Sequence, residues 1–142
     1  MLFRSRYLFL TPIDGEHGAA DTVTWADAAH APLCLLTGDM QNRRIVDGLF
    51  HEAGAEPRPT VETNSISTLI AHVRDGPWSS VMAHAWLHGS TPPPGMRAIP
   101  LVRPARTRTI GLVWLDRDPE PMLARALLDI ASGLDVEAAL RR

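Results

Sequence analysis

Apolar and polar positions along this chain follow two rhythms, and the change from one to the other marks out the elements. Leu33-Cys34-Leu35-Leu36 is a continuous apolar run between Pro32 and Gly38, the pattern of a short strand buried on both faces. From Met40 to Ala53 the period lengthens, with Ile45, Val46, Leu49, Phe50 and Ala53 at helical spacing. Gly54 then supplies a left-handed stop. The cycle repeats: Pro59 to Thr63 predicts a second strand and Ser65 to Asp75 a second helix, closed by Gly76, with Ile66, Leu69, Ile70 and Val73 as its buried stripe. Trp78 to Met82 predicts a third strand. Strand, helix, strand, helix, strand is the order of a parallel sheet with right-handed crossovers.

The flanks add shorter pieces. Tyr7 to Thr11 reads as a strand stopped by Pro12, and Thr24 can cap a short helix through Ala29 by accepting a first-turn N–H. A short helix is expected from Ala83 to His88, followed by a Pro92-Pro93-Pro94-Gly95 turn. Met96 to Val102 and Thr109 to Leu115 predict two further strands. Pro121 opens a last helix through Ala131, with a frayed turn over Asp135 to Arg142. No internal repeat or low-complexity linker marks a second autonomous domain.

Composition narrows the function classes. A chain of 142 residues with 45% apolar and 21% charged content suits one soluble compact domain. A net charge of −2 lacks the clustered basic surface that non-specific nucleic-acid binding requires. The single cysteine, Cys34, excludes an internal disulfide and suits a reducing cytoplasm. The apolar run Tyr7 to Leu10 is too short for a signal peptide, and no stretch approaches the ~20 apolar residues of a membrane span. A cytoplasmic location with no membrane partner is expected.

Two polar helix starts hold the candidate chemistry. Thr37-Gly38-Asp39-Met40-Gln41-Asn42 and Asn64-Ser65 each follow a predicted strand, and ligands of such sheets bind outside the strands' carboxyl ends. A helix start offers N–H groups and the positive end of the dipole to an anion. The competing reading is plain capping by Thr37 or Asp39 in the first turn and by Ser65 in the second, worth about 1 kcal/mol. Asp39 suits a cap better than a ligand contact, since its carboxylate would repel an acid. Arg43 and Arg44 could pair with a carboxylate or phosphate, although Asp47 lies at ion-pair spacing on the same helix.

Enzymatic readings find little support. His84 and His88 have the spacing of a zinc hydrolase, but Ala85 stands where the Glu base belongs and no third ligand is evident. His84 reads better as a polar lining residue, and neither a metal nor a cofactor is expected. Ser80, His84 and an Asp lack the Gly-x-Ser-x-Gly elbow, and Cys34 sits in an apolar run where a thiol acts as a small hydrophobe. Trp25, Trp78, Trp86 and Trp114 read as core or lobe-contact residues rather than a binding cage.

The ordered series Ala31-Pro32-Leu33-Cys34-Leu35-Leu36, Asn42-Arg43-Arg44-Ile45-Val46-Asp47, Phe50, Ala53-Gly54, Glu62, Ser65, Thr68-Leu69 and Ile110-Gly111-Leu112-Val113 resembles the effector-binding domain of LysR-type transcriptional regulators. The resemblance covers about residues 6 to 131. It departs from the family pattern where Gly76-Pro77-Trp78 and Met82-Ala83-His84 replace a Gly-rich turn and a Leu-Pro. The resemblance implies an α/β fold like the type 2 periplasmic binding proteins, with a mixed, mainly parallel sheet and helices on both faces. It implies a second lobe over about residues 12–108, hinge-crossing strands at 6–11 and 109–116, and a C-terminal helix at 119–133. The first lobe would be incomplete and the helix-turn-helix domain absent, so DNA binding would belong to a longer parent.

The expected function is therefore effector sensing without catalysis. A small anionic metabolite would enter an interlobe cleft and meet Thr37, Gly38, Asn42, Asn64, Ser65 and His84. The family implies homo-oligomers, dimers or tetramers. Two other readings stay open: a stand-alone solute-binding or interaction module that joins homologous subunits, and a small metalloenzyme resting on His84 and His88.

Overall fold

The computed structural model describes residues 2–87, 92–116, 118–119 and 121–140. The chain divides into two compact units, one of residues 6–106 and one of residues 1–5 with 107–142.

Alternation along the strands builds the larger unit. Its sheet contains β1 (Leu2–Pro12), β2 (Val23–Thr24), β3 (Cys34–Leu36), β4 (Val61–Thr63), β5 (Ser80–Ala83) and β6 (Met96–Val102). Four of these run β2-β6-β1-β5, while β3 and β4 pair in parallel. A parallel bridge between Leu33 and Ser79 joins the two groups, reinforced by Cys34 N–H to the Ser79 carbonyl at 2.9 Å and Ser79 N–H to the Pro32 carbonyl at 2.8 Å. The sheet is mixed: β1 is antiparallel to β5 and β6, whereas β2 is parallel to β6.

Side chains on a strand point alternately to opposite faces, so each apolar run is divided between two cores. Tyr7, Phe9, Leu33, Leu35, Val81 and Ala83 join one cluster, while Leu8, Leu10, Cys34, Leu36 and Met82 join the other. Helices α1 (Trp25–His30) and α2 (Gln41–Glu52) cover the first face with Trp25, Ala28, Val46, Leu49 and Phe50. Helices α3 (Ile66–Asp75) and α4 (His84–Leu87) cover the second with Leu69, Val73 and Leu87. The predicted two-sided burial of Leu33 to Leu36 follows from this layering. Trp25 anchors the first core, edge-on to Phe50 at 5.0 Å, with its indole N–H donating to the Pro104 carbonyl at 3.0 Å.

Local signals operate largely as the sequence predicts. The Thr24 hydroxyl accepts the Asp27 N–H at 3.0 Å and caps α1. Gly54 adopts φ +70, the left-handed conformation that ends α2 at least cost. Gly76 closes α3 for a different reason. Its backbone is extended, and an added Cβ would stand 2.9 Å from the Trp78 ring and 3.0 Å from the His72 carbonyl.

The smaller unit holds the first residues of β1, through Ser5, together with β7 (Thr107–Gly111) and helices α5 (Met122–Ser132) and α6 (Val136–Leu140). The strand expected over Thr109 to Leu115 is displaced toward the N-terminus, and Leu112 to Leu115 lie outside it, exposed. Helix α5 has a strongly apolar side yet no buried residue, with Met122, Leu123, Leu127 and Ile130 all exposed. Trp86 and Trp114 are exposed too, so of the core and lobe-contact readings the core one does not apply to them. Among the described residues no helix is long and apolar enough to cross a membrane.

Candidate functional site

The parallel pairing of β3 with β4 brings the two polar corners together. Leu36 stands opposite Thr63, and the Thr37 N–H donates to the Thr63 carbonyl at 3.0 Å. Thr37 and Gly38 therefore leave the sheet beside Asn64 and Ser65, on the carboxyl margin where α2 and α3 begin. Asn42 sits half-buried in the first turn of α2. His84 follows the end of β5, and the parallel bridge at Leu33 and Ser79 directs that end to the same margin. All six sequence-predicted residues border one margin of the sheet.

The two helix starts differ. At α3 the Ser65 hydroxyl accepts the Thr68 N–H at 3.3 Å, and the Ser65 N–H donates to Thr63 Oγ1 at 3.2 Å. The capping reading of Ser65 is correct, while Asn64 is left exposed in the turn. At α2 the expected cap by Thr37 or Asp39 does not form. The N-cap is Met40, whose side chain has no hydrogen-bond acceptor suited to the task, and no side-chain capping bond forms. Thr37 Oγ1 is buried and makes no hydrogen bond of good geometry. It nonetheless contributes first, ahead of Asp39's own backbone N–H, to holding the exposed Asp39 carboxyl below the usual carboxylate range. The corner thus holds the Thr37 hydroxyl, the first-turn N–H groups of α2 and the exposed Asp39 carboxylate.

Arg43 differs from its possible role as an anion clamp. Its Nε donates to Asp47 Oδ1 at 2.8 Å, and its Nη1 donates to the Leu36 carbonyl at 2.5 Å and to Glu62 Oε1. Burial opposes the guanidinium charge, but the bonds to Asp47 and Glu62 outweigh it and raise the pKa further above its ordinary range. The bond to Asp47 was legible as an i,i+4 pair. The reach to Glu62 was not, since nothing local relates positions nineteen apart.

Other candidates resolve by burial. Ser80 and Cys34 are fully buried, so neither presents a nucleophile to solvent, and burial pushes the Cys34 thiol pKa up. His84 begins α4, whereas His88 lies outside the described residues. Among the described residues no group of three or more His, Cys, Asp or Glu is placed to hold a metal ion. A cavity of about 370 Å³ opens at the opposite margin, lined by Thr11, Asp14, His17, Pro32 and Ser79 among others. Its walls come from three segments distant in sequence, residues 11–17, 31–32 and 76–79, so no local pattern predicts it.

Comparison with known proteins places this architecture. The model of the LysR substrate binding domain matches residues 1–134. A "probable nitrogen assimilation transcriptional activator" of Synechococcus elongatus is 29% identical over 100 residues, covering 69% of this chain and 32% of its own length. HinK, a LysR family transcriptional regulator from Pseudomonas aeruginosa, superposes with a TM-score of 0.69 at 19% identity, over 90% of this chain and 46% of that one. The CcmR regulatory domain of Synechocystis PCC6803, solved in complex with 2-PG, gives a TM-score of 0.72 at 13% identity, over 90% of this chain and 62% of that one. The chain spans less than half the length of the first two relatives, and at these identities the solved structures establish the fold. The match over residues 1–134 shows that the chain belongs to the LysR substrate binding domain family.

Proposed function

We propose that residues 6–106 form an effector-binding lobe of a LysR-type transcriptional regulator, which takes a small anionic metabolite at the carboxyl margin of its sheet. The observation that carries this reading is the uncapped start of α2. Helices α1 and α3 of the same unit are capped by Thr24 and Ser65, whereas α2 starts at Met40 without a side-chain cap, beside a buried Thr37 hydroxyl. First-turn N–H groups left without a side-chain partner, at the positive end of a twelve-residue helix, suit an anion. In this reading Thr37, Gly38 and Asn42 meet the anionic group, while Asn64, Ser65 and His84 line the margin around it.

The family supports a sensing role without catalysis in a cytoplasmic regulator, and CcmR with its 2-PG offers a precedent for a small-molecule ligand on this fold. A role in a DNA-binding regulator is supported by CbnR, a full-length protein of similar fold solved in complex with its target DNA. The effector would act by preferring one conformation of a homo-oligomeric parent and shifting its population.

The test is a calorimetric titration of the 142-residue chain with inorganic phosphate and a panel of small carboxylic acids. Saturable binding that Thr37→Val weakens and Asp14→Asn spares is the expected outcome. Binding that responds to Asp14→Asn and ignores Thr37→Val would move the site to the opposite margin and refute the assignment.

A further inference from the structure

We infer that Arg43 is a positioning residue that holds the two binding corners in register; the inference rests on the effector-binding reading above. Three bonds define its position. Nε reaches Asp47 one turn along α2, and Nη1 reaches both the carbonyl of Leu36 and the carboxylate of Glu62. Leu36 is the last residue of β3, immediately before the Thr37-Gly38 turn, and Glu62 lies in β4, two residues before Asn64. One guanidinium therefore ties the start of α2 to both strand ends that deliver the candidate ligand contacts.

The chemistry excludes the simpler alternative of Arg43 as the ligand's counter-ion. The side chain is only 11% exposed, and two carboxylates already oppose its single charge. An incoming anion would meet a net negative trio there rather than a free cation. A planar guanidinium can bond three acceptors lying in different directions, whereas an ammonium of the same charge lacks the fixed fork. Shape as well as charge is therefore needed. The Thr37 N–H to Thr63 carbonyl bond, the last rung between β3 and β4, is the contact that depends most directly on this clamp.

The experiment is amide hydrogen exchange by NMR on the full chain, comparing wild type with Arg43→Lys and Glu62→Gln. Glu62→Gln serves as a mild second variant should Arg43→Lys fold poorly. Exchange at Thr37, Gly38 and Ser65 is expected to quicken by about tenfold in both variants, while core amides at Phe9 and Ile99 keep their wild-type protection. Failure of the charge-conserving lysine to restore corner protection would mark geometry, rather than charge, as the operative property. An equal change at the corners and at Ile99, or no change at the corners, would overturn the inference by reducing Arg43 to a general stabiliser. Phosphate titration of the same samples separates the two readings. Wild type without a saturable response but with corner-specific loosening in the variants would sink the effector reading and support the clamp.

Discussion

Replacing Ser65 by aspartate separates the two roles its position can play. The Ser65 hydroxyl caps α3 at 3.3 Å from the Thr68 nitrogen, a long bond, so Ser65→Ala should cost only about 0.5–1 kcal/mol. Aspartate is an equally good N-cap, and its charge at the positive end of α3 adds about 0.3–1 kcal/mol of stabilisation. Ser65→Asp should therefore match or exceed wild-type stability. At the same time it places a carboxylate beside the turn where an anion is proposed to bind. Two unit charges about 4 Å apart repel by roughly 1 kcal/mol in bulk water and 4 kcal/mol at the lower effective dielectric of a protein surface. An intermediate of about 2 kcal/mol corresponds to roughly thirtyfold weaker binding. Urea denaturation followed by circular dichroism gives the stability, and calorimetric titration with inorganic phosphate at fixed ionic strength gives the affinity. Affinity unchanged in Ser65→Asp would refute the placement of the anion; stability lowered as far as in Ser65→Ala would refute the capping geometry.

Phe50→Ala should cost about 3–5 kcal/mol in urea denaturation, because a fully buried ring is lost from the edge of Trp25. Phe50→Leu, which keeps most of the volume, should cost about 1.5 kcal/mol or less, and equal losses from the two would show that the site does not depend on filled space. Gly54→Ala should destabilise by about 1 kcal/mol although its Cβ meets no atom within 4 Å, since φ is +70, and Gly54→Asn should recover part of that loss. A neutral alanine would contradict the left-handed assignment. Cys34, with no exposed surface and a thiol held protonated by burial, should resist a thiol-specific reagent at pH 8 in the native chain and react fully in urea. Rapid native labelling would show that β3 opens readily.

What the sequence made legible was whatever local pattern encodes. The run Leu33 to Leu36, the helical stripe ending at Gly54 and the Ser65 cap all appear at their expected places. Each depends on residues within a turn or two of one another. The features that escaped depend on distant partners. Strand β2 has two residues and exists through its pairing with Leu101 and Val102. Strand β7 is a polar stretch, Thr107 to Gly111, whereas its apolar neighbours Leu112 to Leu115 attracted the expectation. The missing cap at α2 reversed a local rule: Asp39 stands one position too early, and Met40 takes the boundary. The six candidate site residues could be named from their turns, but the Arg43 clamp between them required β4 to be placed in space.

The outer strands of the larger unit have a further consequence. Its sheet is bounded by β2, of two residues, and β4, of three, the latter carrying exposed Glu62 and preceded by Pro57 and Pro59. Exposed backbone on a long, flat outer strand is a template on which neighbouring molecules can add strands and grow into fibrils. Here one border is a stub, and the other combines shortness with a negative charge and prolines that donate no amide hydrogen. The lobe can leave its strand ends open to solvent while offering other chains little purchase for amyloid-like growth along its sides.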